Sequence, residues 1–97
     1  MRILALALIL LAPPVWADRV LRSGPNELRL FDGPCVHGGI LGQLRPEYRD
    51  KFKKASARVN GKSYYACWIE EDGAAIMLFE DGDQGAWPLS AFKESGA

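Results

Sequence analysis

The chain has 97 residues, a quarter of them charged, with 12 basic and 12 acidic side chains and a formal net charge of zero. That balance argues against general nucleic-acid binding or adhesion to an anionic membrane surface, both of which need a basic excess. A metal site takes about three or four ligands and the chain has one histidine; neither a metal nor another cofactor is expected.

Residues 1–17 read as a cleavable secretory signal. Arg2 supplies the positive charge, Ile3 to Ala12 is an unbroken apolar run, and Pro13-Pro14 ends any helix. Val15-Trp16-Ala17 then has the small terminal residue of a cleavage site. A helix needs about 18 or more apolar residues to cross a bilayer, and this run stops well short, so no stable span is expected after cleavage. Residues 18–97 then form a single domain with net charge −1, because Arg2 is the only charged residue removed. The expected destination is the periplasm or the external medium. Cys35 and Cys67 are the only cysteines. In a short exported chain an even count implies a disulfide. Closing about 32 residues, it would stabilise the fold by roughly 3–4 kcal/mol on a chain-entropy estimate, a large share for a domain this small.

Asp18 to Ser23 reads as a first strand and Gly24-Pro25-Asn26 as a turn. Glu27 to Phe31 alternates as a second strand, ended by Asp32-Gly33-Pro34. Val36 to Gln43, with Gly38, Gly39 and Gly42, reads as a loop. Leu44, Tyr48 and Phe52 recur every fourth residue and Pro46 suits a first helical turn, so a helical turn is predicted near 46–51, followed by a strand over 54–59. Asn60-Gly61 and Asp72-Gly73 are hairpin turns. The strands they join run over 62–71 and 74–80. The second is apolar on both faces and should be central. Asp81 to Gly85 is a third turn, Ala86-Trp87 a short last strand, Pro88 to Phe92 a closing turn, and the tail from Lys93 a frayed end. Alternation puts Tyr65, Cys67 and Ile69 on one face and Tyr64, Ala66 and Trp68 on the other. The fold class is mainly β: a small antiparallel meander sheet or SH3-like barrel with one short helical turn and one disulfide.

Two resemblances attach to these residues. Leu28 to Cys35 (Leu-Arg-Leu-Phe-Asp-Gly-Pro-Cys), Ala66-Cys67-Trp68, Asp81-Gly82-Asp83 and Pro88 to Phe92 resemble a group of small exported bacterial proteins, frequently of prophage or phage origin and without known function. That resemblance implies a disulfide-linked β fold and brings neither an activity nor site residues with it. Gly85 to Phe92 is similar to the last turns of SH3-like barrels, where Gly-x-x-Pro precedes a short turn and an aromatic. The aromatic here falls one position late, and the acidic, tyrosine-rich first loop of eukaryotic SH3 domains is missing.

No catalytic constellation emerges, and the chain is not expected to be an enzyme. Cys35 beside His37 suggests a nucleophile, but a disulfide removes the thiol. Asp81-Gly82-Asp83 is a fragment of a calcium loop whose third donor is replaced by Gly85. Charge is segregated along the chain. Arg45 to Lys62 carries seven basic residues against Glu47 and Asp50, whereas Glu70 to Asp83 carries six acidic residues and no basic one. Cross-strand matching inside the molecule would explain this. The functional alternative is a basic patch that meets an acidic partner. Tyr64, Tyr65, Trp68 and Trp87, with Arg45, Arg49, Lys53, Lys54 and Arg58, make the candidate binding surface. The expected function is an exported binding module whose partner is an envelope or extracellular protein, for example an enzyme it inhibits. The alternative is a structural subunit of the envelope or of a phage particle.

Overall fold

The computed structural model describes residues 18–94. The expected leader at 1–17 and the last three residues lie outside the described residues. The chain is mainly β, a single antiparallel sheet of seven strands. In chain order these are β1 (Arg19–Ser23), β2 (Asn26–Pro34), β3 (Lys53–Val59), β4 (Lys62–Glu71), β5 (Ala74–Phe79), β6 (Gln84–Pro88) and β7 (Lys93–Glu94). Two four-residue helices, α1 (Gly38–Leu41) and α2 (Pro46–Arg49), separate β2 from β3, and a 3-10 turn (Leu89–Ala91) separates β6 from β7.

Turn chemistry sets the meander. Asn60 and Gly61 have φ of 53° and 81°, and Asp72 and Gly73 have 51° and 80°. Two positive φ values in succession give the turn whose twist matches that of the flanking strands. The backbone N–H of Asn60 also donates to Asn26 Oδ1 at 3.0 Å, which ties this hairpin tip to the start of β2.

The sheet order is β6-β5-β4-β3-β2-β1-β7. Because β7 pairs with β1 at the edge remote from β6, the sheet must curl. A flat seven-stranded sheet would hold its edges about 29 Å apart. The five steps from Pro88 to Lys93 reach at most about 18 Å. Of the tail predicted to fray from Lys93, the described residues Lys93 and Glu94 form a strand, with Arg19 opposite Glu94 and Val20 opposite Lys93. The two-residue strand is too short to announce itself by alternation; the 3-10 turn delivers it to β1. Two other expectations change. β6 begins at Gln84, inside the predicted third turn. β2 continues through Asp32-Gly33-Pro34, where its pairing with β3 is irregular between Leu30 and Pro34.

Curling buries the inner face. Cross-strand register builds it in rows: Leu28, Ala57 and Tyr64, then Leu30, Ala55, Ala66 and Phe79, then Lys53, Trp68, Met77 and Gly85. Leu30, Ala55, Ala66, Trp68, Ala75, Met77 and Phe92 form a buried cluster there. Small alanines stand beside Trp68 and Met77, so the wall can close tightly.

The opposite face of β4 has its own cover. The segment from Pro34 to Phe52 folds back so that Cys35, Ile40 and Phe52 pack with Cys67. Cys35 and Cys67 are disulfide-bonded, with Cα atoms 5.5 Å apart, and the Cys35 N–H donates to the Phe52 carbonyl at 3.0 Å. The region expected to be a glycine loop holds α1. His37 Nδ1 accepts the Ile40 N–H at 3.2 Å, and Ile40 is 2% exposed. A cap and one deeply buried anchor offset the poor helix propensity of Gly38 and Gly39.

Candidate functional site

The nine candidate surface residues separate into different environments. Trp68 does not belong to the surface: it is 2% exposed, and its indole N–H donates to the Phe31 carbonyl at 2.9 Å. Lys53 and Arg19 lie over its ring at 5.2 and 5.9 Å. Alternation alone could not distinguish the closed inner face from an open one. Tyr65, on the other face, is 61% exposed. Its ring lies 5.4 Å from that of His37.

Arg45, Arg49, Lys53, Lys54 and Arg58 are all exposed. Internal charge matching does not account for them. Among the described residues the Asp and Glu ion pairs with arginine are Arg22–Glu27, Arg29–Asp18 and Arg29–Glu27, and none of the seven basic residues from Arg45 to Lys62 takes part. Glu27 stands opposite Arg58 in register, yet its carboxylate turns to Arg29 at 2.9 Å. That hydrogen bond, with help from Arg22, holds the Glu27 carboxyl below its ordinary value.

His37 Nε2 stands 3.9 Å from Glu80 Oε1, beyond hydrogen-bond reach. Glu80 Oε2 instead accepts the Tyr65 N–H at 3.0 Å. With Nδ1 engaged at the helix cap and Cys35 oxidised, the histidine has a structural task and no neighbouring thiol.

Tyr64 and Trp87 meet at an open cleft of about 460 Å3 at one end of the inner face. Its apolar wall is Leu28, Ala57, Tyr64, Phe79 and Trp87, and Asp81 and Asp83 stand with Gln84 along the β5–β6 side. Trp87 is half-buried and meets Phe79 edge to face, with ring centroids 6.1 Å apart. Its indole lies over Gly85: a Cβ built there would be 2.6 Å from the ring. Gly85 therefore permits the position of Trp87. Asp81 Oδ1 accepts the Asp83 N–H at 3.0 Å, which shapes the turn at the rim.

Tyr64 and Trp87 belong to the candidate surface expected from the sequence; Leu28, Ala57 and Phe79 join them only when β2, β3 and β5 wrap round. The sequence marks Asp81 and Asp83 as turn residues, without their place beside the aromatics. No family model matches the chain, and neither a curated protein nor a solved structure does.

Proposed function

We propose that the chain is an exported binding module and that the Tyr64–Trp87 cleft is where it meets its partner, a protein of the envelope or the extracellular space. The observation that carries this reading is a half-buried tryptophan and tyrosine lining an open cleft in a small sheet made stiff by a disulfide. Aromatic side chains in a rigid concave site bury much area at little cost in conformational entropy, which is the character of an interface hot spot. The disulfide supports export, because such bonds persist in oxidising compartments. The apolar leader supports the same route. Among the described residues no helix is long and apolar enough to cross a membrane.

The test is capture from envelope extract with the oxidised protein recovered after export. Wild type, Trp87→Ala and Tyr65→Ala are compared, each with its melting curve. The reading expects a partner held by wild type and Tyr65→Ala and lost by a folded Trp87→Ala. A partner held equally by all three, or one lost only with Tyr65, would contradict it.

A further inference from the structure

We infer that the cleft takes an extended basic segment of the partner, added as an eighth strand to the free edge of β6. The inference rests on the cleft reading and names the chemistry of its ligand. Among the described residues β6 is an end strand of the sheet, paired on one side only, with β5. The phase of its hydrogen bonds follows from the two ends of the ladder. The Phe79 N–H donates to the Asp83 carbonyl and the Leu89 N–H to the Gly73 carbonyl, both at 2.8 Å. In an antiparallel pair alternate residues turn their backbone groups toward the partner. Gly85 and Trp87 therefore face β5, opposite Met77 and Ala75. Gln84 and Ala86 aim their N–H and C=O groups outward, and both residues are exposed. An unpaired strand edge of this kind is a template for another strand. Pro88 supplies no N–H and limits the pairing at that end.

Charge selects the strand. From Glu70 to Phe92 the sequence has no lysine or arginine, so nothing on β5, β6 or their connecting turns neutralises Asp81 and Asp83. The Asp83 side chain lies on the face of Gly85 and Trp87 by alternation, which is the cleft side. Alternate side chains of an added strand would point into the same space. An arginine or lysine there can lay its stem and cationic head against Trp87 and Tyr64 while pairing with the rim carboxylates. An acidic strand would meet uncompensated like charge.

The probe is an end-blocked nonapeptide alternating arginine and valine, titrated against the oxidised exported protein. One control peptide has glutamate for arginine. A second has N-methyl groups on the amides of every other residue, made in both phases. Expected are binding at least tenfold weaker for the glutamate peptide and for one N-methylated phase, a severalfold loss in Asp83→Asn, and a further loss as salt rises. Equal binding of the arginine and glutamate peptides, or indifference to both N-methyl phases, overturns the inference. If no peptide binds at millimolar concentration while partner capture still depends on Trp87, strand addition falls and the cleft reading stands. If capture is indifferent to Trp87, both fall.

Discussion

Trp68 and Trp87 occupy the same face of one sheet in different surroundings. Trp68 stands beside Met77 in the middle of the wall, closed over by the curl, its indole N–H held by the Phe31 carbonyl and its ring flanked by Lys53 and Arg19. Trp87 stands on the end strand, half-buried, leaning over Gly85 toward Phe79 with an open cleft beside it. The difference lies in the neighbours. A strand with a partner on each side places its tryptophan in the core, and a strand with a free edge leaves room beside it. A core aromatic and a cleft-lining aromatic can therefore share a face and a residue type.

That contrast can be broken by substitution. The largest loss should follow Trp68→Ala, about 3–5 kcal/mol from the deleted packing and the orphaned Phe31 carbonyl, read from urea unfolding. Trp87→Ala should cost about 1–2 kcal/mol by the same measurement, since its ring is only partly removed from water, while abolishing partner capture. Equal stability losses would erase the distinction.

Next comes the opposite face of β4. Replacing both cysteines, Cys35→Ala with Cys67→Ala, should remove roughly 3–4 kcal/mol, because the bridge closes a separation of 32 residues. The cover formed by Ile40 and Phe52 should loosen first, seen as faster amide exchange at Ile40 and Leu41 than at Trp68 and Met77.

A smaller change sharpens the account of Trp87 itself. In Gly85→Ala the new methyl would collide with the indole, so the ring must leave Phe79. Stability should fall by about 1 kcal/mol, with a shift in tryptophan fluorescence and weaker capture. An unchanged spectrum would mean that Gly85 does not hold the ring in place.

The smallest effect is electrostatic and lies on the face of β2 opposite the cleft. The folded-state value of Glu27 is lowered, first by the hydrogen bond from Arg29. Its contribution is therefore fully present above the ordinary value of 4.5 and is lost as pH falls through the lower folded value. Wild type should exceed Glu27→Gln by about 1 kcal/mol or less near neutrality. The gap should close in acid, as measured by urea unfolding across pH.

Much of the sheet was legible because its signals are local. Asn60-Gly61 and Asp72-Gly73 dictate hairpins, and the alternation of Tyr64 to Ile69 sorts two faces that the structure fills with separate clusters. What stayed hidden depends on closure. β7 exists because the chain from Pro88 to Lys93 is short enough to draw the edges together. α1 exists because Ile40 finds Phe52 and the disulfide. Trp68 and Trp87 look alike in sequence because exposure is decided by strand order, and strand order brings Leu28 of β2 to the cleft occupied by Trp87 of β6. The acidic rim was visible as a charge run, but its position beside two aromatics required the third dimension.

The most direct test is the indole N–H region of a nitrogen-15 proton correlation spectrum, recorded while the captured partner is added. A chain lacking residues 1–17 carries Trp68 and Trp87, since Trp16 lies in the leader expected to be cleaved. The account predicts that the Trp87 indole resonance shifts or broadens and that the Trp68 resonance stays in place. A partner that leaves the Trp87 indole resonance in place, or that moves the Trp68 resonance as much, would contradict it.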